Sequence, residues 1–523
     1  MPFKPPSILL KEIYTPFISG KFLPVTTSRD AAHLIPVVNP GNGEHVTNVI
    51  STTSAEVKHA IDIAQEAFES GIWSKAPVQQ RSVILSRLAR SLESRIGNLA
   101  TLESLQTGRA IREMKAQLGR LPEWDYYAAL IRTHQSFIPP TQGKLLNYVT
   151  RVPLGVVAQI TPFNHPLLIA VKKIAPALAM GNSVLVKPSE MAPISVLEFA
   201  EMTLDAGVPA GVLQVLPGAG MTTGMDLVSD PRIKKVDITA GTRTGRAIGN
   251  VVGRNLANYT AELGGKAPVV VFDDADLTGA VNGVAFASFI ASGQTCVSGT
   301  RIIVQEGIYD RFMDEFLNKV RSITKRIGNP LNPESSMGSV ISQHSLNRMN
   351  SMIERRKSGN LAIGGQQMTG LSPLDEHDLS QGSFYPPTII TDISTEDELW
   401  QKEIFGPVVV VKRFQDEQEG IQLANNCKYG LGAALWTKDL SRAHRAAAQI
   451  EAGLVWVNAH HRNDPSSPWG GMKESGIGRE NGVEALEHYS QSKSVIINYA
   501  SPEEIQGNED WFAENTDETR RYG

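Results

Sequence analysis

Cysteine is nearly absent: Cys296 and Cys427 are the only two in 523 residues. Two thiols cannot build a disulfide framework, and neither has neighbours at metal-ligand spacing, which argues against a stapled secreted fold and against a structural metal. Basic charge is not in excess either. The formal net charge is −4, without a Lys/Arg cluster, so no field is available for nucleic acid or an anionic membrane surface. No apolar run is long and uninterrupted enough to span a bilayer. The first residues, Met1-Pro-Phe-Lys-Pro-Pro-Ser-Ile-Leu-Leu-Lys11, have too short an apolar core for a secretory signal and lack the Arg and Ser bias of a transit peptide. These absences lead to the expectation of a cytoplasmic, reducing setting and a small-molecule partner, with no nucleic acid, membrane or metal.

The chain is longer than one core usually serves, so two or three domains are expected. Thr53-Ser-Ala-Glu56 fits a capping box opening a helix through about Ser70, and Ile84, Leu85, Leu88, Leu92 and Ile96 recur at helical spacing between Gln79 and Lys115. Leu145–Pro153 follows the Pro139-Pro140 break and alternates like a strand outside the main sheet. Next comes a repeated strand-helix alternation. Strands are expected over Val156–Thr161, Ser183–Lys187, Leu213–Leu216 and Lys235–Thr239, with helices over Leu167–Met180 and Pro193–Ala206 and from Met221 and Thr242. Units of this length imply right-handed crossovers and a doubly wound α/β sheet, whose ligands bind at the carboxyl ends of the strands. A second α/β set runs through Val269–Phe272, Ile302–Val304, Val408–Phe414, Ala433–Trp436 and Leu454–Asn458. The last stretch, from Ser501, is acidic and aperiodic, which reads as a disordered tail in which Trp511 and Phe512 have a surface to dock on or none.

Chemistry concentrates in separated motifs. Ser292-Gly-Gln-Thr-Cys-Val-Ser-Gly299 sets Cys296 among small and polar residues, a setting for a nucleophile that needs access and neighbours able to lower its pKa or take its proton. A buried packing cysteine is the plain alternative, and Cys427, at the end of a helical run before Gly430, is read that way. Thr161-Pro-Phe-Asn-His-Pro166 places an amide, Asn164, just past a strand, where it can donate to an oxyanion or satisfy its own turn. In Lys187-Pro-Ser-Glu190, a carboxylate beyond the second strand can accept both ribose hydroxyls and repel a 2′-phosphate. Gly218-Ala-Gly-Met-Thr-Thr-Gly224, which includes Gly220, departs from the usual dinucleotide fingerprint; Thr239-Ala-Gly-Thr-Arg-Thr-Gly245 opens a helix whose free N–H groups can receive pyrophosphate, through Thr239, Gly241, Thr242 and Gly245. Glu262 precedes Leu-Gly-Gly-Lys-Ala-Pro268, and Glu403 opens Glu-Ile-Phe-Gly-Pro407. His165, Ile169 and Lys172 are spaced i, i+4, i+7 and share a helix face.

Taken in this order, the motifs around Glu262, Cys296 and Glu403 resemble the signature of the NAD(P)-dependent aldehyde dehydrogenase superfamily, with the likeness running from about Ile18 to Asn498. The resemblance implies a Rossmann-like cofactor domain over 1–135 and 154–265, an α/β catalytic domain over 266–480, and a β bridging arm from 136–153 and 481–500, leaving 501–523 as the tail. It also implies a homodimer or homotetramer. Cys296 would be the nucleophile, Asn164 with the Cys296 N–H the oxyanion hole, and Glu262 the base that activates water. Lys173 and Glu480 would relay protons behind that base. Thr161, Phe163, Lys187, Glu190, Glu403 and Phe405 would join the glycine and threonine turns in holding NAD, with NADP left open. Phe163 stands where many members have Trp, and Ala240-Gly241 where many have Gly-Ser. His165, Ile169, Lys172 and Trp469 would line the aldehyde tunnel, His165 and Lys172 at positions often aromatic, which turns the expectation toward a polar or acid-bearing aldehyde. The implied product is the carboxylic acid, by way of a thiohemiacetal, hydride transfer to NAD and a thioester. Transfer of the acyl group to coenzyme A, and a non-catalytic enzyme-derived binding protein, are the alternatives; the presence of Glu262 argues for water.

Overall fold

The computed structural model describes residues 10–25, 33–509 and 512. Its elements follow from the sequence where periodicity and caps agree. The Ser54–Ser70 helix starts at Thr53, whose hydroxyl and the Glu56 carboxylate close a capping box, and stops at Gly71 with φ 80°. The expected helix over 79–115 is instead two: Val78–Thr107, ended by Gly108 at φ 73°, and Ile111–Leu118. Apolar periodicity continues across the gap, but the left-handed glycine turns the chain, and this kink carries Arg109 and Glu113 to the site.

Eight strands form the first sheet, in the order Gly476–Ile477, Asn258–Glu262, Ile233–Thr239, Val156–Ile160, Ser183–Lys187, Leu213–Val215, Phe17–Ile18 and Lys21–Phe22. The five central strands, from Asn258–Glu262 to Leu213–Val215, are mutually parallel. Their side chains are buried on both faces between helices, as near-continuous apolar runs require. The helix expected from Met221 is a wide π turn over Gly220–Gly224 followed by Met225–Ser229. The second sheet has seven strands, Asn360–Ile363, Thr388–Thr391, Val408–Phe414, Gly299–Gln305, Ala267–Val271, Gly432–Trp436 and Leu454–Val457, parallel except for the first. Two of these, the edge strand Asn360–Ile363 and its neighbour Thr388–Thr391, are four-residue pieces without a clear alternation in sequence.

Leu145–Pro153 stands outside both sheets and pairs antiparallel with Ser490–Asn498 along its full length, Leu145 opposite Asn498 and Pro153 opposite Ser490. This two-stranded ribbon exposes Ile496 and Ile497. The tail departs from the expectation of disorder at its start: Pro502–Glu509 is helical, tied by a Lys144–Glu504 ion pair at 2.6 Å. The remainder of the acidic stretch, Trp511 included, lies outside the described residues, and Phe512 is exposed. Cys427 is buried, as its structural reading requires.

Candidate active site

The Leu277–Phe289 helix runs into a turn whose residues Ala291, Ser292 and Gly293 all have positive φ, 55°, 54° and 70°. Two non-glycine residues there each cost about 1–3 kcal/mol and persist only where the surroundings hold them. Three segments do so. Glu113 Oε2 accepts the Ala291 N–H at 3.1 Å, the Ser292 hydroxyl donates to Gly338 O at 2.8 Å, and the Gln294 amide oxygen accepts the Ile341 N–H at 2.9 Å. The reversed chain then presents Cys296, half-buried. A Cβ on Gly265 would stand 2.0 Å from the Cys296 carbonyl oxygen, so the Leu-Gly-Gly motif is bare where it passes the nucleophile.

The electrostatics differ from the expectation that neighbours lower the Cys296 pKa. Removal from water pushes the thiol up to about 12, the Glu262 and Glu403 carboxylates add to the shift, and Lys172 opposes it. Carboxylates outnumber cations around the sulfur, so its proton must pass to a base before attack. Glu262 ends its strand only 2% exposed, and among the described residues neither carboxylate oxygen has a hydrogen-bond partner. Burial first, then the Glu480 charge, raise the Glu262 carboxyl well above the usual carboxylate range, with Lys172 and Lys173 opposing. Asn164 is buried beside the same loop, its amide donating to Gln294 O at 2.7 Å. The following Pro166–Ala179 helix is fixed at its start by buried Glu103, which accepts the Leu167 N–H at 2.9 Å.

That helix also carries Lys172 and Lys173, and the structure puts Lys172 elsewhere than on a substrate wall. Both lysines are 1% exposed and turn to Glu480: Lys172 Nζ lies 2.6 Å from Oε2, Lys173 pairs with Oε1 and lies 2.5 Å from Asp237. Although burial alone would raise it, the two ammonium groups hold the Glu480 carboxyl down to about 2. Trp469 covers Lys172, with the ammonium 4.5 Å from its ring centroid, and its backbone bridges to Glu480. Lys172 therefore neither faces water nor stands free for a substrate carboxylate. The cluster continues to the Tyr489 hydroxyl, which donates to Asp237 Oδ2 at 2.6 Å.

At the carboxyl ends of the first sheet's strands, the Thr161 and Thr239 hydroxyls are buried without hydrogen-bond partners among the described residues. Lys187 ends its strand 3.1 Å from Glu190. Gly241 is the N-cap of the Thr242–Arg254 helix, no side chain caps its N–H groups, and a Cβ there, or on Gly220, would meet open space. Gly245 serves packing instead: a Cβ would come within 2.4 Å of Leu263. The Thr242 hydroxyl is already engaged, donating to Glu474 O at 3.2 Å. Glu403 accepts the Gly265 N–H at 2.9 Å, and burial pushes its carboxyl up to about 7. Phe405, at φ 55°, meets Phe163 edge to face with centroids 5.7 Å apart.

A cavity of about 620 Å³ opens near the nucleophile loop, with Arg109, Gln117, Leu168, Phe286, His461 and Arg462 on its wall. None of the expected substrate residues lines it: His165 lies behind the wall, against Arg109 and Gln117. Leu168, not half-buried Ile169, is on the wall. Arg109 and Gln117 both donate to His165 Nδ1, at 2.8 and 2.6 Å, which places the imidazole proton on Nε2, and the ring lies edge-on to His461 at 6.1 Å. Burial and Arg109 hold His165 well below its ordinary pKa, so it is neutral. Arg109, Glu113, His461 and Arg462 were not singled out from sequence. The Gly108-Arg109 helix break was the one local signal for the first pair; the others lie in a loop without a motif.

Residues 26–495 match the aldehyde dehydrogenase family. An aldehyde dehydrogenase of Agaricus bisporus is 38% identical, over 92% of this chain and 94% of its own. Among solved structures, PnpE of Pseudomonas sp. WBC-3 in complex with nicotinamide adenine dinucleotide is 37% identical at TM-score 0.88, covering 93% of this chain and 98% of that one. Betaine aldehyde dehydrogenase of Staphylococcus aureus in complex with NAD+ is 36% identical at TM-score 0.88, covering 93% and 94%. The chain belongs to the aldehyde dehydrogenase family.

Proposed function

We propose that the protein oxidises an aldehyde to its carboxylic acid with NAD, using Cys296 as nucleophile. The observation that carries this reading is the convergence of the Cys296 thiol, the Asn164 amide donor and a buried carboxylate, Glu262, without a hydrogen-bond partner among the described residues. Glu262 takes the thiol proton, directly or through water, and the thiolate adds to the carbonyl carbon. Asn164 Nδ2 and the Cys296 N–H then meet the oxyanion, each such donor contributing about 3 kcal/mol. NAD, when bound, would supply the hydride acceptor; loss of hydride from the Cys296-bound thiohemiacetal carbon would leave a thioester. Glu262, unprotonated again, activates water against that thioester, and the acid leaves. Lys173, Lys172 and Glu480 form a charged chain behind Glu262 able to return its proton to solvent.

The residues suit a dinucleotide. The orphan Thr161 and Thr239 hydroxyls and the uncapped Thr242–Arg254 helix offer donors at the strand ends where pyrophosphate would lie. Glu190 would accept the adenosine ribose hydroxyls and disfavour a 2′-phosphate, and Glu403 the nicotinamide ribose, with Phe163 and Phe405 beside it. On this reading the first sheet with its helices is the cofactor domain, the second sheet the catalytic domain, and the Leu145–Pro153 and Ser490–Asn498 ribbon an arm through which subunits pair in the cytoplasm as dimers or tetramers. Arg109, Gln117 and Arg462 on an otherwise largely apolar wall favour an aldehyde with a polar or acidic group, with Lys172 turned away to Glu480.

NADH formation over aliphatic, aromatic and acid-bearing aldehydes tests the proposal. Cys296→Ala should abolish turnover, and Glu262→Gln should give at most a stoichiometric burst before stalling. Steady turnover in Cys296→Ala, or an unchanged steady rate in Glu262→Gln, refutes it. Faster turnover with coenzyme A than with water favours the acyl-transfer alternative.

A further inference from the structure

The substrate cavity adjoins a second cavity of about 390 Å³, and the two share Glu113, Ala116, Asn282, Phe286 and Ile290 as a common wall. Asn282, Phe286 and Ile290 are spaced i, i+4, i+8, so one face of the Leu277–Phe289 helix and its end runs past both compartments. Opposite it lies the Ile111–Leu118 helix, with Glu113 and Ala116 one turn apart. The groove between these helices leads outward from the nucleophile loop.

The outer compartment differs in character from the inner one. Its floor is apolar, made by Ala285, Phe289, Ile323 and Met337, and its rim carries Arg112 from the Ile111–Leu118 helix and Lys319 and Arg326 from the end of the Glu306–Thr324 helix and the turn after it. Among the described residues none of these three cations has an ion-pair partner; Arg326 Nε reaches only the Ser322 carbonyl, at 3.4 Å. The one carboxylate on the wall, Glu113, is already taken by Arg109, at 3.2 Å, and by the Ala291 N–H. Arg112 also lies within the field of Glu113, which leaves Lys319 and Arg326 as the cations without an acidic neighbour on the wall; an apolar trough ending in net positive charge is complementary to a chain with an anionic end.

We infer that the outer compartment binds the far carboxylate of an ω-oxo carboxylic acid whose aldehyde end reaches Cys296, so that the preferred substrates are acid-bearing aldehydes with an extended apolar spacer. This rests on the aldehyde-oxidising reading and specifies its substrate class. The spacer lies along Phe286 and Ile290, and the terminal carboxylate sits among Arg112, Lys319 and Arg326. Three partly exposed charge contacts of about 0.5 kcal/mol each correspond to roughly a tenfold effect on affinity.

The test is a chain-length series of ω-oxo acids, each paired with its methyl ester and the matching alkanal, on the parent enzyme and on Arg112→Gln/Lys319→Gln/Arg326→Gln. In the parent, kcat/KM for the acids should rise with length beyond that of the esters, and KM for the longer acids should increase with salt. In the variant the longer acids should lose about tenfold in KM at similar kcat, while short alkanals stay within about twofold and so report an intact fold. Lys319→Gln alone should show a smaller loss in the same direction if the triple variant folds poorly. Calorimetry with the dicarboxylic acid product and its monomethyl ester reads the compartment without turnover: parent binding that favours the diacid, lost in the variant, supports the proposal. Equal behaviour of acids and esters in the parent overturns it, as does an unaltered variant. So does inhibition by simple alkyl carboxylates that is not competitive with the aldehyde, which would make the compartment an effector site. Oxidation of alkanals alone would sink this inference and leave the proposed reaction standing; oxidation of no aldehyde would sink the reaction, and calorimetry would still decide the binding site.

Discussion

Replacing Glu113 by alanine should damage folding and catalysis together, because one carboxylate supports both the Arg109 charge and the strained turn before Cys296. Glu113 is 9% exposed and Arg109 2% exposed; Oε2 accepts from Arg109 Nε at 3.3 Å and Nη2 at 3.2 Å, and from the Ala291 N–H at 3.1 Å. Arg109 keeps Nη1 contacts to Gln117, Asn164 O and His165, but its other face is left unpaired. Breaking one half of a buried pair costs about 3–5 kcal/mol, because the surviving charge has lost both water and partner. Glu113→Gln retains an acceptor for Ala291 and should cost less, about 1–3 kcal/mol. Replacing the pair together, Arg109→Met with Glu113→Leu, should cost less than the two single losses summed. For catalysis, release of the Ala291-Ser292 turn lets the nucleophile drift, and a misplacement of about 1 Å lowers rate by roughly 10²-fold. Denaturant unfolding measures the first effect and NADH burst rate the second. Unfolding of Glu113→Ala within about 1 kcal/mol of the parent, with an unchanged burst, would refute the coupling of this pair to the loop.

Lys172→Met should leave the ranking of neutral and anionic aldehydes unaltered and move the pH profile instead. In the proposed reaction unprotonated Glu262 acts as the base, and burial with the Glu480 charge raises its carboxyl, so the deacylation rate should climb with pH through that raised value and level off above it. Lys172 opposes the upward shift at both Glu262 and Cys296, so its loss should carry the rising limb to higher pH, lowering the rate near neutrality and sparing it in base. A stationary limb, or a new aldehyde ranking, contradicts this placement of Lys172. Gly265→Ala should reduce the burst at least about tenfold, since its Cβ would stand 2.0 Å from the Cys296 carbonyl oxygen and backbone on both sides must shift; iodoacetamide labelling of Cys296 at the parental rate would show that it does not.

The strands and the motif residues were legible because each is fixed by local chemistry: β-branched runs of sheet length, a capping box at Thr53 and Glu56, and Cys296, Glu262 and Glu403 within short glycine-rich stretches. Leu145–Pro153 was legible as a strand outside the main sheet because it alternates after the Pro139-Pro140 break, whereas its partner near the C-terminus came from the family resemblance and not from a local pattern. What sequence could not give is which way a long side chain turns. Lys172 shares a helix face with His165, which placed it on the aldehyde wall, yet Glu480 lies more than three hundred residues along the chain and captures it at 2.6 Å. Burying an ammonium without a partner would cost far more than one helix-face preference is worth, so the distant carboxylate decides. Gly245 fails for a related reason. A glycine near a helix start serves phosphate approach or close packing alike, and only the position of Leu263 tells them apart. The same logic hid Glu113 and Arg109. An i,i+4 acid-base pair on a helix is usually a solvated surface feature, and here the bend at Gly108 folds it inward against Ala291 and His165. Sequence therefore offers residues with local motifs, Cys296 and Glu262 among them, as candidates, whereas the groups that set their charge and reach are selected by tertiary partners, and the polarity of the cavity wall belongs to that second class.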